Sequence, residues 1–539
     1  MALATACVLA CGDDSSTPPD GAAPDASTLD SSVTDGGGGD SGPQTSTASV
    51  LQFHKNGSRD GVYLDPLMTA AKAGALHRDA TFSATLTGQV YAQPLWVEQG
   101  PNGNEAFIVA TESNHVTAID ATGTVIWDKA FGNAASGGLP CGNIASGGAS
   151  LGITGTPVMD ASSRTIYFDA MTNTGGNTNR HLIHAISLDD GTERSGGWPI
   201  DVSTAVSGFD SPHQNQRGAL ALVGGTLYVP YGGHYGDCLQ YYGWVVGVNV
   251  ASPTTVKTWR SAGSPTWTTS PPIGAAGIWA TGGLATDGTS LFATTGNSMN
   301  GGFASPPSWV GGDAVFRIGA GPSFTLQSSD YYVPSNWAQM DDGDVDLGGA
   351  NPVVFDMPSA PVPHLVAALG KDGNLYLLNR DNLGGQGGEL SVSQVSDNEI
   401  NSGAAVYTTS KGTYVAFRAF GGAHGCSNGG NLGVAKITAA NPPTASVVWC
   451  SKGTSNLGSP IVTTDGQSSV IVWDANNHLF GYDGDTGALV YDGTATAADA
   501  LPATMHYFNA PIDAKGRIAV ATCGNCGSGT GNGKLVSFK

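Results

Sequence analysis

Along most of the chain, apolar and polar residues alternate in short runs cut by turn residues. Residues 114–127 (NHVTAIDATGTVIW), 180–193 (RHLIHAISLDDGTE), 243–259 (GWVVGVNVASPTTVKTW), 373–385 (GNLYLLNRDNLGG) and 478–491 (HLFGYDGDTGALVY) share one plan. Each is an alternating apolar strand, usually an Asp or Asn, a short turn often containing Gly, and a second strand. Period-two alternation ending in Asp-x-x-Gly predicts a β-hairpin, because strand side chains alternate faces and Gly accepts the positive φ of a tight turn. Asp120, Asp189, Asn249, Asn379 and Asp483 mark one column of the repeat. Weaker copies fall at 316–318 and 434–437, and the chain ends on a last copy at 534–538.

These copies make about eight units with a mean period of about 60 residues. Two further strands precede most of them, as in PLWVE then AFIVAT, or GALALV then TLYVPY. Four strands per unit predict an all-β fold, an eight-bladed β-propeller of four-stranded antiparallel blades. The last unit is one strand short, and the N-terminal segment 80–87 (ATFSATLT) is predicted to complete it. That pairing joins the two ends of the ring and removes an open sheet edge. A solenoid is the alternative stacking, but it needs polar caps at both ends, and none is visible.

Composition supports this picture. Only 12% of residues are charged, 79 of 539 are Gly and 40% are hydrophobic, which suits strands, tight turns and a sizeable core. The balance of 22 Lys and Arg against 43 Asp and Glu gives a net charge of −21. That argues against duplex nucleic acid, which is bound by clustered cations, and against docking on anionic lipid through a basic face.

Residues 1–10 (MALATACVLA) are apolar, and Val8-Leu9-Ala10-Cys11 resembles the lipobox of bacterial lipoproteins. The resemblance implies a signal segment over 1–11 with acylation at Cys11; Cys7 is a second candidate. The apolar run is short and has no Lys or Arg before it. Residues 12–50 (GDDSSTPPDGAAPD, then TDGGGGDSGP) lack the apolar content to offset ordering entropy and are expected to form a disordered acidic tether. Residues 51–539 form the propeller. The expected location is the bacterial cell envelope, with the lipid anchor as the one membrane contact.

Six further cysteines, an even number in an exported chain, suggest disulfides. Cys426/Cys450 and Cys523/Cys526 are natural pairs, leaving Cys141/Cys238. Cys523-Gly-Asn-Cys526 is followed by Gly rather than His, so no c-type haem is expected. There is no second CxxC to complete a zinc site.

The blade pattern resembles the pyrroloquinoline quinone (PQQ) propeller superfamily, which includes quinoprotein alcohol dehydrogenases and non-enzymatic lipoproteins of outer-membrane assembly. The resemblance covers nearly all of the chain after about Gln52. Gly277-Ile278-Trp279 is similar to the segment whose tryptophan forms the floor under the quinone, where a flat indole stacks on a planar cofactor. Gly296-Asn297 resembles the asparagine that supplies a calcium oxygen. Asp344-Val345-Asp346, followed by Asn351-Pro352, resembles the family's acidic loop, which makes Asp346 the catalytic base and a calcium ligand. Lys371-Asp372-Gly373-Asn374 resembles the basic segment that faces the quinone oxygens. The implied chemistry is oxidation of an alcohol or aldose with PQQ and Ca²⁺: a carboxylate removes the hydroxyl proton and hydride passes to the quinone.

The departures concern the same site. The family's vicinal Cys-Cys pair is absent, Tyr91 stands where a quinone-contacting glutamate belongs, and 152–157 (GITGTP) lacks the expected arginine. His234 replaces the calcium glutamate, and imidazole is a poor ligand for a hard cation; Asp237 is the candidate substitute. Arg217, closing the polar run 213–217 (HQNQR), and His234 are expected at the channel mouth, with Arg217 as an anion or carbohydrate contact. Each residue has a plainer reading: Trp279 as blade packing, Asn297 as a turn residue, Asp344 and Asp346 as a solvated loop, Lys371 as a hairpin lysine. Two functions stay open. One is a PQQ-type dehydrogenase; the other is a non-catalytic, monomeric envelope propeller that binds protein or glycan.

Overall fold

The computed structural model of the protein describes residues 48–139, 149–235, 241–262, 274–299, 305–306, 308–427, 430–451, 458–526 and 531–539. Eight sheets of four or five strands follow one another as the blades of a propeller. Their third strands are His115–Asp120, Asn179–Ser187, Trp244–Asn249, Val315–Ile318, Asn374–Asn379, Leu432–Thr438, Leu479–Asp483 and Lys534–Phe538. All eight repeated segments of the sequence, weak copies included, therefore occupy one structural position. The core lies between blades: Ile108, Ala118 and Trp127 of blade 1 pack with Ile166 and Phe168 of blade 2. A blade is covered on both faces, so inner strands such as Ala106–Ala110 are buried at every position.

Arg78–Thr85 closes the ring. It pairs antiparallel with Lys534–Phe538, placing Ser83 opposite Val536 and Thr85 opposite Lys534. The strand starts two residues before the predicted segment, because Asp79 reaches the Lys539 ammonium at 2.5 Å. Three blades exceed the predicted four antiparallel strands. Asn133–Ala134 widens blade 2, while Val62–Leu64 and Gly385–Gln386 add parallel strands to blades 7 and 4. Cys426–Cys450 and Cys523–Cys526 are disulfides. Cys141, Cys238 and the lipobox Cys11 lie outside the described residues.

Residues 50–65 touch all eight blades, and only Val62–Leu64 among them forms a blade strand. Val50 bridges Trp96 of blade 1, and Leu51 O accepts from Met159 of blade 2. Arg59 reaches Leu220 O at the entry to blade 3. The carbonyls of Gly57, Ser58, Asp60 and Gly61 then accept from Thr286, Val354, Val406 and Val462 in the first strands of blades 4 to 7. Asp65 finally accepts from Gly516 N in blade 8. The central hole is thus filled at the level of the first strands, with Phe53, His54 and Arg59 fully buried.

Asp474, in the second strand of blade 7, is 1% exposed and neither carboxylate oxygen has a hydrogen-bond partner among the described residues. Burial pushes its pKa up to about 8. The folded state then holds this proton more tightly than the unfolded chain, so the contribution of Asp474 to stability falls as pH rises from about 4 to about 8. Asp474→Asn is expected to be about 2 kcal/mol more stable than wild type at pH 8 and to lose that advantage below about pH 4, as read from urea midpoints.

Candidate functional site

One face of the ring carries two classes of loop. Arg217, Trp279, Asp346, Asn401 and Tyr507 each precede the first strand of blades 3, 4, 5, 6 and 8, while His234, Asn297 and Lys371 each follow the second strand of blades 3, 4 and 5. Because the blades repeat, equivalent loops converge, and these residues line a single cavity of about 230 Å³. Trp279, Asn297, Asp346, Lys371, Arg217 and His234, chosen from sequence, all face it; Asp237 lies outside the described residues.

The centre is a set of direct contacts. The Trp279 indole Nε1 donates to Asp346 Oδ2 at 3.0 Å. Lys371 Nζ lies 2.8 Å from Asp346 Oδ1 and 2.8 Å from Asp344 Oδ1. The Lys371 main-chain N–H also donates to Asp346 O, which fixes the loop. Gly296 permits this approach, since a Cβ there would lie 2.6 Å from Asp346 Oδ2 and 2.7 Å from Trp279 Nε1. Asp344 caps the helix Trp337–Gly343 in the left-handed region (φ 51°), which turns the acidic segment inward. Asp341, in the last turn of that helix, is buried and accepts from Ser298 N at 2.8 Å, so this part of the segment is not a solvated loop. Burial pulls the Lys371 pKa down, but Asp346 and Asp344 outweigh it and hold the ammonium above its ordinary value.

His234 Nε2 hydrogen-bonds Pro212 O at 3.0 Å, and burial lowers the imidazole pKa to about 3, so the ring is neutral. Its Nδ1 is buried with no hydrogen-bond partner among the described residues. The side chain of Asn297 has no hydrogen bond to the described residues. Among those residues, no group of three or more His, Cys, Asp or Glu is placed to hold a metal ion. Asn297 and Asp346 alone fall well short of the six to eight oxygens that Ca²⁺ takes, and Trp279 and Lys371 already engage both Asp346 oxygens. The described residues therefore do not assemble the calcium set expected from sequence.

Away from this centre the lining is aromatic. The Tyr235 and Tyr507 hydroxyls hydrogen-bond across the cavity, joining loops 272 residues apart. Arg418 stacks near Tyr507, 5.4 Å from its ring, and donates to Asn401 Oδ1 at 2.7 Å. Tyr91, in the place of the expected glutamate, stacks on His506 at 3.8 Å and meets Phe508 edge-on. Where an arginine was expected, a Cβ on Gly155 would collide with Gln216 Oε1, so the Gln216 side chain occupies that space. Tyr235, Glu399, Asn401 and Tyr507 were not chosen from sequence. They sit in loops without a repeat of their own, and only Tyr235, one residue past His234, had a nearby signal.

No family model matches the chain, and no curated protein matches it in sequence. Two solved structures share the fold. A quinohemoprotein alcohol dehydrogenase from Pseudomonas putida is 13% identical with a TM-score of 0.61, over 91% of this chain and 80% of that one. A quinohemoprotein alcohol dehydrogenase from Comamonas testosteroni is 14% identical with a TM-score of 0.60, over the same shares. The chain shares the overall fold of these two structures, which in this protein is an eight-bladed β-propeller.

Proposed function

We propose that the protein is an exported, lipid-anchored quinoprotein-type dehydrogenase that oxidises an alcohol or sugar in the bacterial cell envelope. The observation that carries this reading is the Trp279–Asp346–Lys371 contact set facing one cavity. Trp279 is half-buried, and Arg217 and Lys371 lie 5.3 and 5.4 Å from its ring centre. A flat apolar surface beside the Lys371 ammonium suits a planar, anionic quinone such as PQQ. Trp279 would lie under its ring and Lys371 beside its carbonyl oxygens. When bound, the quinone supplies the two-electron acceptor that side chains lack. Asp346 takes the substrate's hydroxyl proton at Oδ1, and Asp344 keeps the Lys371 ammonium anchored while Asp346 is protonated. The roof of Tyr235 and Tyr507 limits water at the reacting carbon.

The test is titration of purified protein with PQQ, with and without Ca²⁺, followed by indole fluorescence and then dye-linked oxidation of an alcohol and sugar panel. Quenching with turnover is expected. A second reading, a non-catalytic glycan-binding propeller, is favoured by the rings of Tyr235, Tyr241 and Tyr507, which are surfaces for sugar stacking. Sugar binding with neither PQQ binding nor turnover would select it.

A further inference from the structure

The charges around the cavity are unevenly matched. Lys371 faces two carboxylates, and Arg418 lies in the field of Glu399. Arg217 is different. It is 6% exposed and gives Nη2–H to Gly233 O at 3.1 Å, while its buried Nε has no hydrogen-bond partner among the described residues. Among the described residues no carboxylate comes within ion-pair distance of it. The rings of Tyr235, Trp279 and Phe508 surround it, with centres 5.2, 5.3 and 5.7 Å from the guanidinium carbon. Arg59 is also buried without a carboxylate, but it donates to four acceptors, whereas Arg217 gives one hydrogen bond to the described residues.

A desolvated guanidinium has strong hydrogen-bonding demand, and aromatic faces satisfy only part of it. The missing partner is an anion with two coplanar acceptor oxygens, which a guanidinium binds through parallel N–H groups. Arg217 lines the same cavity as Asp346, so this anion belongs to a molecule that also reaches the proposed base. The neutral His234 beside it adds no competing charge, and its free Nδ1 can accept a hydroxyl proton as a hydrogen bond. We infer that Arg217 is a carboxylate receptor and that the cavity selects a small polyol acid, of the uronic or aldonic type, over a neutral sugar. For turnover this rests on the dehydrogenase reading; for binding it does not.

The two possible sources of a carboxylate, substrate and quinone, are separated by titrating the full-length protein with glucuronate, with glucose and with PQQ. Without PQQ, glucuronate is expected to bind roughly tenfold or more tightly than glucose, by indole fluorescence. High NaCl should weaken glucuronate binding and leave glucose unchanged. Arg217→Gln should bring the two sugars to within about twofold, and Arg217→Lys should fall between. Melting curves show that each variant is folded, and the salt dependence of wild type tests the idea without any variant. Equal affinity for both sugars in wild type overturns the inference. So does an Arg217→Gln variant that keeps the glucuronate preference but loses PQQ, since the carboxylate would then be the cofactor's. A preference for glucuronate with no PQQ binding would remove the dehydrogenase reading and leave this one standing.

Discussion

Replacing Arg59 with methionine is expected to lower the stability of the ring by about 3–5 kcal/mol, read as a lower urea midpoint with an unchanged slope. The side chain is fully buried and donates to Leu284 O at 2.9 Å, Leu220 O at 2.8 Å, Phe53 O at 2.9 Å and Gln52 Oε1 at 3.1 Å. Methionine fills much of the same space, so the loss is not mainly a cavity. It leaves four acceptors dry, each at a cost of about 1–3 kcal/mol before relaxation. Burial lowers the guanidinium pKa only to about 9, so the charge that holds these carbonyls is present at neutral pH. Arg59 also ties the entries of blades 3 and 4 to the central segment. A change below about 1 kcal/mol would show that the filled hole adds little to ring stability.

Asp346→Asn is expected to cut turnover by about 10²–10⁴-fold with a much smaller effect on PQQ binding. Asparagine can still accept from the Trp279 indole, so the floor of the site keeps its position. What disappears is the proton acceptor and one of the two carboxylates that hold Lys371. The lysine pKa should then move back toward its ordinary value, because burial is opposed by Asp344 alone. Single-turnover oxidation of a responding substrate, with PQQ affinity measured in parallel, separates the two effects. Undiminished turnover would remove Asp346 as the base.

Much of the fold was legible in the chain. Period-two runs, five of them ending in Asp or Asn, identified the third strand of every blade, even at Val315–Ile318, where little else repeats. ATFSATLT was recognisable as the closing strand because it has that alternation and no hairpin partner nearby. Buried Phe82 and Ala84 alternate with exposed neighbours along it. Six residues chosen from sequence also line one cavity, since motif and blade position together fix which loop each occupies.

The segment 50–65 could not be read this way. VLQFHKNGSRDGVYLD has no sustained period, because its bonds go to eight different blades and only Val62–Leu64 runs beside a strand. The isolated guanidinium of Arg217 was equally hidden: sequence shows a charge but not which partners fail to reach it. Alternation and turn chemistry are local, so the residues alone determined eight blades and their closure. What fills the hole and what faces the cavity depend on contacts up to hundreds of residues apart, and only the closed ring brings those groups within hydrogen-bonding distance.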